Sequence, residues 1–232
     1  MTRNMNGARF PVRAVLFDLD GTLIDTVSDL TEAANRMLSE MGRPARSEAQ
    51  IRMLVGRGIP DLVRRCMTEG STASEAEVAD ALTRFRRHYA VVNGQHSGIY
   101  PGVIATLQVL KASGLALAVV TNKAAAFTAP LLELMGIDGF FDAVVSGDTL
   151  PVTKPDPAVL KHACKLLGVA EADAIMVGDS ANDARAARAA GMPVLLVSYG
   201  YSEGLPVDTI ECDGLLSAAA DLLQHIQPAS AA

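Results

Sequence analysis

The feature that most constrains this chain is a series of short runs rich in Val, Leu and Ile: Val12–Phe17, Leu115–Val120, Ala143–Val145, Ala174–Val177 and Val194–Val197. Each is followed by Asp, Thr, Asn, Ser or Gly. Apolar runs that do not alternate with polar residues predict strands buried on both faces, as in a parallel sheet. From the second run onward, helix-like segments separate them, near 102–113, 123–136, 156–168, 181–190 and 216–225. That rhythm predicts an α/β fold with a doubly wound, Rossmann-like parallel sheet. Ligands of such sheets sit beyond the carboxyl ends of the strands. Here those ends read Asp18, Thr121, Ser146 and Asp179, which would face one crevice.

Residues 25–98 break the rhythm, with no convincing strand and with helical stretches near 27–41, 47–54, 59–69 and 74–91. The first stretch places Val27, Leu30, Ala34, Met37, Leu38 and Met41 on one face. The expected organisation is an α/β core of residues 1–24 and 99–232, with a small all-helical cap, 25–98, inserted after the first strand. A compact insert beside a crevice is suited to close over a substrate and exclude water.

The 232 residues carry a formal net charge of −6. An acidic chain lacks the basic stripe that nucleic-acid binding requires. It also means that a site for an anionic substrate must supply its own positive charge. Cys66, Cys164 and Cys212 are odd in number and far apart, which predicts small apolar core residues rather than a disulfide or zinc framework. The opening MTRNMNGARFP lacks the hydrophobic region of a signal peptide and reads as a loose tail, as does the final QPASAA. No apolar run approaches the length of a membrane span. A cytoplasmic protein with no membrane partner, a monomer or homodimer, is expected.

The strongest chemical signal is Asp18-Leu-Asp20-Gly-Thr-Leu23, where a buried strand runs into two carboxylates and a glycine turn. A lone pair of this kind most often caps turns. A second acidic cluster follows a second strand, in Gly178-Asp179-Ser180-Ala181-Asn182-Asp183, where Ser180 also fits a helix cap. Two acidic clusters at two strand ends are costly unless a cation compensates, and an all-oxygen donor set suits magnesium. Thr121, before Asn122, fits a helix cap and an anion ligand equally well. Lys154, pinned before Pro155, is a candidate for neutralising phosphate.

In this order and spacing, DLDGTL, TN, KPDP and GDSANDA resemble the haloacid dehalogenase superfamily of phosphatases, over essentially the whole chain. The segments LVGRGIPDLV, SGDTLPVTKPDP, GDSANDARAARAAG and SYGYSEG are similar to the bacterial phosphoglycolate phosphatases within it. The resemblance implies that Asp18 attacks phosphorus and that Asp20 protonates the leaving alkoxide, then deprotonates the hydrolytic water. It implies Mg2+ held by the Asp18 carboxylate, the Asp20 backbone carbonyl and Asp179, with Asp183 acting directly or through water. Thr121 and Lys154 would hold the phosphoryl oxygens, with hydrogen bonds from Asn122.

The substrate expected from the resemblance is 2-phosphoglycolate, a small phosphorylated metabolite. Arg57, flanked by glycines, fits a solvated loop; the functional reading is that Arg57, or the helix N-terminus beside it, receives the carboxylate end. A phosphatase for another small ester such as a sugar phosphate, a phosphosugar mutase, and a non-catalytic binding protein on the same scaffold are the alternatives. Arg84, Arg86, Arg87 and His88 read as a solvated helix face, and His96 receives no role.

Overall fold

The computed structural model describes residues 9–68 and 72–229. The chain opens with β1 (Phe10–Val12), β2 (Ala14–Phe17) and β3 (Ile24–Asp25). Then come α1 (Val27–Glu40), α2 (Glu48–Arg52), α3 (Ile59–Thr68) and α4 (Glu75–Val92), closed by β4 (Gly98–Ile99). The remainder alternates: α5 (Val103–Ala112), β5 (Ala116–Val120), α6 (Ala125–Leu134), β6 (Ala143–Val145), α7 (Ala158–Leu167), β7 (Ala174–Gly178), α8 (Ala181–Ala190) and β8 (Val194–Val197). β9 (Gly214–Leu216), α9 (Leu222–His225) and β10 (Ile226–Pro228) finish it.

The main sheet is parallel, in the order β6-β5-β2-β7-β8-β9. β2 is flanked by β5 and β7, with Val15 level with Leu117 on one side and Ile175 on the other. The chain winds outward from β2 in both directions, so the strand order reverses beside it. Asp18, at its carboxyl end, therefore stands at the switch point of the sheet. Apolar side chains fill both faces: Val15, Phe17, Leu117, Val119 and Ile175 pack on one, and Leu16, Ala118, Val120, Met176 and Leu196 on the other.

The helices α1–α4 share a separate apolar cluster, with Met37, Ile51, Val63, Phe85 and Tyr89 fully buried in it. They leave and rejoin the sheet through a two-stranded antiparallel ribbon in which Asp25 pairs with Gly98. The return from α4 is tied down by Asp29 of α1, a buried carboxylate that accepts bonds from the Gly94 and His96 amides and from Ser97 Oγ. His96 Nδ1 lies 3.2 Å from the same carboxylate.

Three expectations need correction. The opening and closing segments are not wholly loose, since Phe10–Val12 pairs in parallel with Ile226–Pro228; residues 1–8 and 230–232 lie outside the described residues. The segment 216–225 is not one helix. Gly214–Leu216 adds an edge strand, and only Leu222–His225 is α-helical, after a 3-10 turn at Ala219–Asp221. Third, the ends of the insert are strands, too short to carry a periodicity signal. The three cysteines are buried. Among the described residues, no helix is long and apolar enough to cross a membrane.

Candidate active site

Three strand ends converge. Asp18 follows β2, Thr121 follows β5 and Asp179 follows β7, and all three are buried. The Asp18 amide donates to Val177 O at 2.9 Å, continuing the sheet ladder into the site. Ser146, at the end of the outer strand β6, is buried but is not among the residues lining the cavity below. Asp18 Oδ1 accepts from the Leu19 amide at 2.7 Å and lies 2.8 Å from Lys154 Nζ. Lys154 Nζ also donates to Asp183 Oδ1 at 2.7 Å. Burial works against the Lys154 ammonium, but Asp18 and Asp183 outweigh it and hold its pKa above the ordinary lysine range.

Asp183 has a second task. Its Oδ2 accepts from Ser180 N at 3.1 Å and Ser180 Oγ at 2.7 Å, closing the first turn of α8. Gly178 makes this possible, because a Cβ there would run into the Asp183 carboxyl group. Gly21, at φ +85°, turns the chain back beneath Asp179 in a conformation that side chains rarely adopt. Asp179 Oδ2 accepts from the Tyr201 amide at 2.6 Å.

Carboxylate oxygens of Asp18, Asp179 and Asp183 lie within 4.8 Å of one another. Burial pushes the Asp18 carboxyl up to about 7, and Lys154 only partly offsets it. Burial and the charges of Asp183 and Asp18 raise Asp179 well above the carboxylate range. Carboxylates packed this closely hold their protons unless a cation shares the site. A hard divalent cation, which prefers oxygen donors, fits them. Asp18 and Asp179 are the open donors, since both Asp183 oxygens are engaged by Lys154 and Ser180.

Asp20 stands apart from this trio. Its Oδ1 accepts from Thr26 Oγ1 at 2.7 Å and from Lys123 Nζ at 2.9 Å. Lys123 Nζ also donates to Tyr89 Oη at 2.5 Å, on α4. Lys123 is a buried ammonium; burial opposes its charge, but Asp20 and Tyr89 raise its pKa above the usual range. Tyr89 is clamped between Phe85 and Phe127, at ring separations of 5.6 Å and 5.0 Å. Its phenol is pushed up to about 12, chiefly by burial, so it stays neutral.

The helical insert closes over these groups. A cavity of ≈ 30 Å³ remains, lined by Asp18, Asp20, Thr121, Asn122 and Lys123 below and by Leu30, Val55, Gly56, Gly58, Ile59 and Leu62 above. The loop before α3 is held down through the Gly56 carbonyl, which accepts from Asn122 Nδ2 at 2.9 Å and Asn182 Nδ2 at 3.3 Å.

Two residues expected to meet the substrate are engaged by protein partners instead. Arg57 points away from the cavity: its side chain is 54% exposed, and its Nε donates to Glu203 Oε2 at 3.1 Å. Its glycine neighbours and the N-terminus of α3 border the cavity instead. Asn122 reaches the cavity wall, but its amide is spent on structure. Besides Gly56, its Nδ2 donates to Lys154 O at 3.0 Å, and its Oδ1 accepts from Lys154 N at 2.9 Å. It positions the Lys154 loop.

Residues 15–197 match the family described as haloacid dehalogenase-like hydrolase. The chain belongs to that family. The hydrolase is 45% identical over 219 residues to the plasmid-borne phosphoglycolate phosphatase of Cupriavidus necator, covering 94% of this chain and 95% of that one. It is 44% identical over 219 residues to the phosphoglycolate phosphatase of Thiobacillus denitrificans, covering 94% and 96%. A crystal structure of a predicted phosphoglycolate phosphatase from Haemophilus somnus superposes with a TM-score of 0.87 at 33% identity, covering 92% of this chain and 97% of that one.

Sequence reasoning about this hydrolase missed Lys123, Tyr89, Thr26 and Glu203. Lys123 directly follows Asn122 at a strand end, and that position was the available signal. Tyr89 sits on an amphipathic helix face, where an aromatic residue reads as core. Thr26 and Glu203 acquire their contacts only through tertiary structure.

Proposed function

We propose that this chain is a phosphoglycolate phosphatase, hydrolysing 2-phosphoglycolate to glycolate and phosphate. The observation that carries the reading is the nearly full-length likeness to proteins of that name. The clustering of Asp18, Asp20, Thr121 and Lys154 at one switch point supports the chemistry.

In this reading Asp18 is the nucleophile, forming an aspartyl phosphate, and Lys154 holds it while balancing charge on the phosphoryl oxygens. Thr121 adds a hydrogen bond to those oxygens. Asp20 protonates the leaving alkoxide and then takes the proton of the water that opens the intermediate. Lys123 and Thr26 fix one oxygen of Asp20, leaving the other for proton transfer. Asp18, Asp179 and the Asp20 carbonyl would hold Mg2+, with Asp183 acting through Lys154 or a water. The ion would supply positive charge against the phosphoryl group. Residues 25–98 act as the cap: the closed cavity holds about one or two waters, so substrate access requires the insert to swing on its two-stranded ribbon.

The test is phosphate release from a panel of 2-phosphoglycolate and sugar phosphates, with Mg2+ and with chelator, alongside Asp18→Asn. Mg2+-dependent preference for 2-phosphoglycolate that vanishes in the variant supports substrate and mechanism together. Preference for another ester overturns the substrate, isomer formation points to a mutase, and activity surviving in Asp18→Asn sinks the nucleophile.

A further inference from the structure

We propose that Lys123 receives the carboxylate of the substrate and so sets the preference for an anionic two-carbon ester. The inference rests on the phosphoglycolate reading and assigns the end of the substrate that the phosphoryl-handling residues leave unaccounted for.

The covalent geometry of the substrate locates that end. In 2-phosphoglycolate the carboxyl group is bonded to the same carbon as the leaving oxygen. Whichever group protonates the leaving oxygen must therefore have the carboxylate close beside it. Asp20 has that role, and Lys123 Nζ is bonded to Asp20 at 2.9 Å. Among the described residues lining the cavity, Lys123 carries the sole positive charge; the other charged groups there, Asp18 and Asp20, would repel a carboxylate. The upper wall of Leu30, Val55, Ile59 and Leu62 offers no side chain to pair with it. Arg57, the cation expected from sequence, is turned outward onto Glu203.

Lys123 is also built as a fixed donor with capacity left over. Its ammonium has three N–H groups, and its two hydrogen-bond partners are Asp20 and Tyr89. Its backbone is immobilised, with the carbonyl accepting from Gly147 N at 2.8 Å and from Thr128 Oγ1 at 3.1 Å. Burying an ammonium is costly, and one carboxylate shared with a neutral phenol is thin compensation. A second carboxylate, arriving with the substrate, completes the charge balance. Tyr89 belongs to the insert, so one of the two partners that fix the ammonium comes from the roof of the cavity.

The experiment compares 2-phosphoglycolate with 2-hydroxyethyl phosphate, which replaces the carboxylate by a neutral CH2OH, in wild type, Lys123→Met and Tyr89→Phe. Wild type should prefer 2-phosphoglycolate in kcat/KM by about tenfold or more, the scale of a charge-assisted hydrogen bond. Lys123→Met should abolish that ratio, chiefly through KM for 2-phosphoglycolate. Tyr89→Phe, which keeps the ring in its aromatic clamp, should reduce the ratio by a smaller factor. A ratio unchanged in Lys123→Met, with both substrates slowed equally, overturns the inference and leaves Lys123 only positioning Asp20. If Lys123→Met does not fold, Tyr89→Phe decides: equal losses on both substrates overturn the inference. Wild type without the preference contradicts the phosphoglycolate reading itself, a different failure from an unaltered ratio in the variant.

Discussion

Arg57 and Glu203, 146 residues apart, meet where the insert lies on the sheet domain, Nε donating to Oε2 at 3.1 Å. The two ends of this pair are unlike. The Glu203 side chain is 4% exposed and its Oε1 has no hydrogen bond, whereas Arg57 is half in solvent. Arg57→Ala would leave a buried carboxylate facing only the Gly56 loop. It should destabilise the protein by about 1 kcal/mol or more, because an unpaired buried charge costs more than a lost surface pair gains. Adding Glu203→Gln should recover most of the loss in thermal unfolding. A double variant less stable than Arg57→Ala would show that the pair is not the linkage described.

In the proposed mechanism Asp20 takes part in both half-reactions, and the choice of leaving group separates them. Asp20→Asn should slow 2-phosphoglycolate turnover by about 10²–10⁴-fold, the usual worth of a positioned acid–base group. With p-nitrophenyl phosphate, whose phenolate departs without a proton, the first step should survive while water attack is slowed. Rapid-mixing measurements should then show a burst of p-nitrophenol matching the enzyme concentration. A linear time course with both esters equally impaired would contradict this division of labour.

Gly178→Ala tests the acidic seat without touching a carboxylate. The new methyl group must displace the Asp183 carboxyl group, and with it Lys154 and the first turn of α8. The concentration of Mg2+ giving half-maximal activity should rise about tenfold or more, as for loss of groups that orient metal ligands. An unchanged Mg2+ requirement in a folded variant would show that Asp183 has room to move.

The same seat makes stability depend on pH. Asp18 has its carboxyl pKa raised from 3.8 to about 7 in the folded chain. Between these values the folded state binds more proton than the unfolded state, so metal-free stability falls as pH rises through that window. Asp18→Asn, which cannot titrate, removes this contribution. The Tm of chelated wild type relative to Asp18→Asn should therefore decline from pH 5 to pH 7. Added Mg2+ should raise the wild-type Tm more at the higher pH, since bound metal requires ionised carboxylates. A relative Tm that rises with pH under chelation would contradict the burial described for Asp18.

The sheet and the positions of Asp18, Thr121, Lys154, Asp179 and Asp183 were legible because each follows or adjoins a strong apolar run or a proline, where periodicity and turn chemistry speak locally. β9, β1 and β10 were not. Gly214–Leu216 is a short edge strand whose middle residue is exposed, and the terminal ribbon draws its order from pairing across the chain rather than from its composition. The direction of Arg57 was not legible for a related reason: glycines on both sides announce a loop, but which way the side chain turns depends on Glu203, in another loop of the core. Lys123 was overlooked because a lysine after a strand reads as solvated; only Asp20, Tyr89 and the closed insert make it a buried cation.

The cavity is composed of two unequal inheritances. Its floor comes from strand ends where even a methyl group at Gly178 or Gly21 collides with a carboxylate, so selection can alter little there without losing the reaction. Its roof, from Leu30 to Leu62, comes wholly from the insert, where one apolar side chain replaces another at modest cost. Drift in the roof can thus reshape the space above the reacting group, while the charge met at Lys123 and the step performed on the phosphoryl group stay fixed below it.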